Sequence, residues 1–320
     1  MAVAPGPKEA KEFHLRRVGK PEEFRAVEEV QREAWGLGAE VPVPGAVQRG
    51  FQDNGGLVLG AFVDIYLAGF TMSFLGWDGS SLYHYSHLTG IRPEYQNHHV
   101  GLRLKLFQRE EVQRQGLNQI RWVFDPLQSR NAHVAIRRLG GVPDRYLVHY
   151  FGQLDSAANA GIETDRLRLV WDLAAPRTEE RIAGKFPTPA EDAARWRRST
   201  AILETKVGDS GIRLPAAVDE PTAAEVHLEV PFDLRLVREH EPAALRTWRH
   251  AGRDAFRAAF DAGYRIDDFA VVSEEHERRS FYFLRAGSPS ARAGEGALPV
   301  DPGPSSPGSG TAPPGSPRPD

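Results

Sequence analysis

A mixed α/β fold is predicted: a twisted mixed sheet around a central βαβ crossover, plus a C-terminal α+β extension. Three observations carry this. Between residues 13 and 173, short runs rich in β-branched and aromatic residues alternate with runs whose apolar positions repeat at helical spacing. One helical run, 98–115, stands between strands 82–91 and 119–125, which makes those strands parallel neighbours. Over 174–286 a long helical run followed by two strands repeats the mixture in looser form.

Each element follows from local chemistry. "FHLRRV" (13–18) reads as a strand, and the run to Gly36 as a helix with Pro21 in its first turn and Gly36 at its stop. "GGLVLGAFVD" and "YLAGFTMSFLGW" are strands joined by a tight turn near Asp64, and "SLYHYSHLTGI" is a third long strand. Val100, Leu102, Leu104, Leu106, Phe107 and Val112 give 98–115 one buried side. "QIRWVFD" is a strand, "SRNAHVAIRRLG" a helix closed by Gly140 or Gly141, and "RLRLVWDL" (166–173) the last strand of an order β-α-β-β-β-α-β-α-β-β. Further on come a helix around "AEDAARWRRSTAILE", a strand at 224–231, a helix at 241–263 between Pro242 and Gly263, and a hairpin. Helix–strand–strand also closes the first half, so a degenerate repeat is conceivable, although no residue-level self-similarity demands it. Residues 1–12 and the Pro/Gly/Ser-rich 287–320 are expected to be disordered.

Composition excludes several functions. A net charge of −3 over 320 residues gives no reason to expect nucleic acid or a membrane surface as partner. The absence of cysteine removes disulfides, thiolate metal sites and cysteine nucleophiles. No apolar run approaches the ~20 residues needed to span a bilayer, and the start lacks the pattern of a secretory signal; a cytoplasmic protein is expected. There is no Gly-x-Ser-x-Gly, no Gly-x-x-x-x-Gly-Lys and no His-Glu-x-x-His. His98 and His99 are adjacent and project differently, so no metal is expected.

The stretch Gln96-Asn97-His98-His99-Val100-Gly101 opens helix 98–115 directly after a strand. A helix N-terminus there offers free N–H groups and positive dipole to a pyrophosphate, and Gly101 lets backbone approach closely. Here the sequence resembles the GNAT superfamily of acyl-CoA-dependent N-acyltransferases, whose loop runs Arg or Gln, two residues, Gly, one residue, Gly or Ala. Gln96 and Gly101 match its ends, while His99 occupies the first glycine position. "NGGLVLGAF", "FDPLQSRNA" and "TDRLRLVW" look like a long branch with a C-terminal extension. The resemblance implies acetyl-CoA or another acyl-CoA as co-substrate. Its pantetheine would pair with Leu88, Thr89, Gly90 and Ile91, its pyrophosphate would lie on Gln96 to Gly101, and its thioester in a gap where the fourth and fifth strands splay. Asn131 would bond backbone or pantetheine. His99 fits such a loop if its φ stays negative; its imidazole either reaches a phosphate or is a tolerated surface group.

The resemblance also implies a tyrosine proton donor in the helix after the fifth strand, but that position is Ile136. Candidate groups for proton transfer are therefore Asp125, Tyr150 and His87. Asp125 ends the fifth strand, where it either attracts and deprotonates an ammonium or caps the turn before Pro126. Alternation puts His84 and Ser86 on one face of their strand and Tyr85 and His87 on the other. Tyr146 is a further donor. Arg166, with Asp165 and Arg130, suits a carboxylate-bearing amine, or else Arg166 pairs with Asp165. Arg246, Arg249, Arg253 and Arg257 form nearly one stripe, read first as a solvated face and alternatively as an anion site. The expected function is transfer of an acetyl or succinyl group to a small amine by direct attack. The alternative is a non-catalytic acyl-CoA sensor or scaffold. A homodimer is compatible with either.

Overall fold

The computed structural model describes residues 12–36, 42–154, 162–274 and 277–287. The ends expected to be disordered lie outside the described residues, apart from Glu12 and Gly287. The first sheet contains β1 (His14–Arg17), β2 (Leu57–Val63), β3 (Tyr66–Trp77), β4 (Leu82–Ile91), β5 (Gln119–Phe124), β6 (Val142–Leu147) and β7 (Arg166–Asp172), in the order β1-β2-β3-β4-β5-β7-β6. Every neighbouring pair is antiparallel except β4 and β5, the pair predicted to be parallel.

One face of β2–β4 is covered by α1 (Pro21–Trp35) and α2 (Gly45–Asp53). Pro21 starts α1, and Glu23 turns back to accept from the Gly19 and Lys20 N–H groups. Phe24, Val27 and Val30 bury against Val58, Phe62, Phe70 and Met72, and Gly36 ends the helix at φ 59°. The other face receives α3 (Val100–Arg114). Its buried line is Val100, Leu104, Lys105, Gln108, Glu111 and Val112, whereas Leu102, Leu106 and Phe107 are only partly buried. The apolar set read from the sequence thus mixes two faces, and the innermost face carries three polar side chains. After β5 come α4 (Ser129–Ala132) and a π-helical turn, His133–Arg138, ended by Gly140 at φ 79°.

The second sheet holds β8 (Thr200–Val207), β9 (Arg213–Val218), β10 (Glu225–Val230), β11 (Tyr264–Glu274) and β12 (Glu277–Ala286), in the order β11-β12-β10-β8-β9. Its helices are α5 (Pro176–Ile182), α6 (Pro189–Arg198), α7 (Leu234–His240) and α8 (Ala244–Asp261). The helix expected to run through "STAILE" stops at Arg198, because Thr200, Ile202 and Leu203 join the sheet as β8. The sequence did not announce α2, α5 or α7, each under three turns long.

The arginine stripe of α8 is a solvated face only in part: Arg246 and Arg257 are exposed. Arg249 is wholly buried and Arg253 mostly so, and both turn towards the first sheet. One apolar cluster runs from Leu59 and Trp122 through Ile136 and Trp171 to Trp248 and Tyr282, so the two sheets share a core. No helix among the described residues is long and apolar enough to cross a membrane.

Candidate functional site

β4 and β5 are paired only at His84↔Ile120 and Tyr85↔Arg121. Beyond that point Ser86–Ile91 and Trp122–Phe124 have no ladder between them, and the strands form a V that opens towards their carboxyl ends. On β4 a bulge sits beside the vertex: Ser86 and Leu88 face the adjacent residues Ser73 and Met72 on β3, leaving His87 as the extra residue. Bulges re-aim side chains and leave ladder groups unpaired.

At the mouth of the V the chain makes a 3₁₀ turn, Pro93–Tyr95, and Gln96 Nε2 donates to the Ile91 carbonyl at 3.3 Å. Asn97 and His99 then take φ of 67° and 58°, on either side of His98, whose φ is not positive. Left-handed residues in a turn of this kind curl neighbouring N–H groups towards one concavity. The expectation that His99 keeps a negative φ is corrected here: the position does need the left-handed region, which histidine enters more readily than most side chains. At the start of α3 the N–H groups of Val100, Gly101 and Leu102 have no carbonyl of their own helix one turn back to donate to, as at any helix N-terminus. A Cβ added to Gly101 would meet nothing within 4 Å, so this first turn is open on that side.

The two faces of β4 differ. On one, Phe74 packs between Phe51, Tyr85 and His87, with ring centroids 5.1–5.7 Å apart. Tyr150 and Arg166 both lie close enough to Tyr85 to act on it electrostatically. Burial, then the neighbouring Tyr150, raises the Tyr85 pKa, so this phenol holds its proton. Burial lowers the His87 pKa, which keeps the imidazole neutral near pH 7. Arg166 is buried, donates to the Asp165 carbonyl at 2.8 Å and lies 5.3 Å from the Phe151 ring centroid. Along the same sheet, Tyr83, Arg121 and Arg168 help line a polar cleft of about 630 Å³. The other face of β4, towards α3, carries His84 and Ser86. His84 bonds Ser73 and Gln115, while Ser86 Oγ accepts from Lys105 Nζ at 2.6 Å and donates to Gln108 Oε1 at 3.1 Å.

Several expected site residues are committed elsewhere. Asp125 receives both terminal nitrogens of Arg249, at 2.9 and 2.8 Å, and its Oδ1 also accepts from the Leu127 N–H. It is therefore a turn cap and an ion-pair anchor, not an open base. Asp165 accepts from Arg253 Nε and Nη2 at 2.7 and 2.9 Å, from the Tyr146 hydroxyl at 2.8 Å and from the His149 N–H at 3.0 Å. Those four bonds use its acceptor sites, so it has none left for a substrate. Arg130 and Asn131 are exposed on α4, and Arg130 acts on Asp233 rather than on the V. Ile136 is wholly buried. What the structure does gather around the V is Tyr85, His87, Tyr150, Arg166 and the strand and loop backbone from Leu88 to Gly101.

Sequence reasoning missed Lys105 and Gln108. The spacing Val100, Leu104, Gln108, Val112 was the available signal, since it repeats every four residues and carries a polar member.

No family model and no curated protein matches the sequence. Solved structures of GNAT acetyltransferases do match over about half of the chain. The ribosomal-protein-alanine N-acetyltransferase of Brucella melitensis is 15% identical, covers 50% of this chain and 99% of its own, and has a TM-score of 0.42. An acetyltransferase of the GNAT family from Streptococcus pneumoniae is 14% identical, with 50% and 98% covered and a TM-score of 0.40. The NatC complex bound to Gag peptide and CoA is 14% identical, with 50% and 98% covered and a TM-score of 0.41. At such identities the likeness concerns fold alone.

Proposed function

We propose that this protein is an acyl-CoA-dependent N-acyltransferase working by direct attack of an amine on the thioester. The observation that carries this is the alignment of an unladdered β4 edge with unpaired N–H groups at the start of α3. An extended amide-containing arm can complete the β4 edge, while its pyrophosphate meets the concavity from Asn97 to Leu102. A thioester carried down the V would come to rest beside the bulge at His87.

The amine would approach from the face bearing Tyr85, His87 and Tyr150. It arrives as ammonium, and neutral His87 is the group suited to remove the proton. Tyr150, beside the protonated Tyr85, is the donor for the departing thiolate, in place of a tyrosine at Ile136. Arg166 favours an acceptor that carries a carboxylate.

Two measurements test this: CoA binding, and thiol release from acyl-CoA in the presence of mixed amino acids. Gly101→Val should weaken CoA binding by about tenfold or more without lowering the melting temperature, because the added side chain enters space left for the ligand. Unchanged affinity would remove the loop from the site. A second reading, an acyl-CoA sensor without turnover, is favoured by apolar Ile136 and by the engagement of Asp125 with Arg249. It predicts CoA binding with no thiol release.

A further inference from the structure

The vertex of the V is spanned from the α3 side by a single buried cation. Lys105 Nζ donates to Ser86 Oγ at 2.6 Å and to Gln108 Oε1 at 3.3 Å, and lies 4.6 Å from the Trp122 ring centroid. Ser86 and Trp122 are the first residues on β4 and β5 after the last paired couple, Tyr85↔Arg121. Lys105 is 8% exposed and makes no ion pair with a carboxylate among the described residues. Burial alone pushes its pKa down to about 7. Beside it, Gln108 Nε2 is buried without any hydrogen-bond partner. The vertex is thus rich in donors and poor in acceptors, an unfavourable arrangement for a buried site unless something supplies oxygens.

We infer that Lys105 and Gln108 bind the far end of the acyl chain and select a CoA thioester whose acyl group ends in a carboxylate. This rests on the acyltransferase reading above. From Ile91 to Ser86 the open edge of β4 is about 17 Å long, comparable to an extended pantetheine arm. A ligand anchored by phosphates at the mouth reaches the vertex with its acyl group last. A monothioester of a dicarboxylic acid brings there an anion for the ammonium and an acceptor for the Gln108 amide. An acetyl group ends in a methyl and supplies neither. Successive residues of β4 also keep the two substrates apart: the acyl end lies on the Ser86 side, and the amine comes from the His87 side.

The experiment compares affinities for CoA, acetyl-CoA, butyryl-CoA and succinyl-CoA, the last two having acyl chains of equal carbon number. Succinyl-CoA should bind at least about tenfold tighter than butyryl-CoA. Lys105→Met should abolish that preference while leaving the affinity for CoA itself unchanged. Equal binding of the two esters to the wild-type protein overturns the inference, as does a preference that survives in Lys105→Met. If the variant does not fold, the wild-type comparison decides alone. Failure of CoA and all its esters to bind would instead overturn the acyltransferase reading beneath it.

Discussion

Two parts of this molecule share one strand plan. In the first sheet the neighbours run β3-β4-β5-β7-β6, and in the second β9-β8-β10-β12-β11. In both, the second and third strands are parallel and the other pairs antiparallel. In both, the parallel pairing is short, ending at Tyr85↔Arg121 in one and Leu203↔Leu228 in the other. The difference lies in the connection between the parallel strands. β4 reaches β5 through α3, whose free N-terminus stands at the mouth of the V. β8 reaches β10 through another strand, β9, so no helix N-terminus stands between the parallel strands. Just past its last pair, the second sheet is closed by Glu229, which accepts from the Thr205 hydroxyl of β8, and from Arg279 at 2.9 and 2.6 Å. The same sheet order therefore yields a gap holding a buried amine with no carboxylate partner among the described residues in one half, and a seam sealed by a satisfied anion in the other. Topology opens a site only where the crossover chemistry leaves groups unsatisfied.

The largest way to break the pairing of these halves is Arg249→Leu. It strands Asp125 in a buried position, and removing one member of such a pair costs about 3–5 kcal/mol. Chemical denaturation should read a loss of that size, and a loss under about 1 kcal/mol would mean the halves hold together without it. Next, Glu229→Gln should unseal the second seam, costing about 1–3 kcal/mol as Arg279 loses its charged partner. CoA affinity should stay the same; a change would show that the second sheet takes part in binding.

The smallest effect has a distinctive pH signature. Lys105 has a folded pKa near 7, below its unfolded value of about 10.4. Below both values the ammonium carries its full burial penalty, and between about pH 7 and 10 the unfolded chain binds more protons, so stability rises with pH. In the protein without ligand, Lys105→Met should be more stable than wild type at pH 6–7, by about 1 kcal/mol or more. That advantage should shrink as pH approaches 10. Melting temperatures of both proteins across this range provide the check, and a pH-independent difference would mean that the amine is not desolvated.

The first sheet was legible because its strands carry period-two patterns and its one crossover helix fixes which strands are parallel. The glycine-poor loop was legible as a helix start, yet the handedness at His99 was not, since nothing local forces φ above zero there. Two arginines of α8 looked solvated because their partners are far off in sequence: Asp125 is 124 positions from Arg249, and Asp165 is 88 from Arg253. The buried polar face of α3 was hidden by Leu102, Leu106 and Phe107, which are apolar but lie to its side. Tertiary ion pairs and buried amines leave no periodic trace.

The reach of α8 also sets a timetable for synthesis. Asp125 and Asp165 emerge from the ribosome well before Arg249 and Arg253, and at roughly 5–20 residues per second the 124-residue wait for Arg249 lasts on the order of 6–25 s. Tyr282, whose hydroxyl bonds the Pro126 carbonyl, and Ser280, which bonds Ser129, come later still. Through that interval the nascent first sheet lacks the groups that neutralise the ends of β5 and β7. The second half thus works as an intramolecular clamp that is made after the sheet it holds.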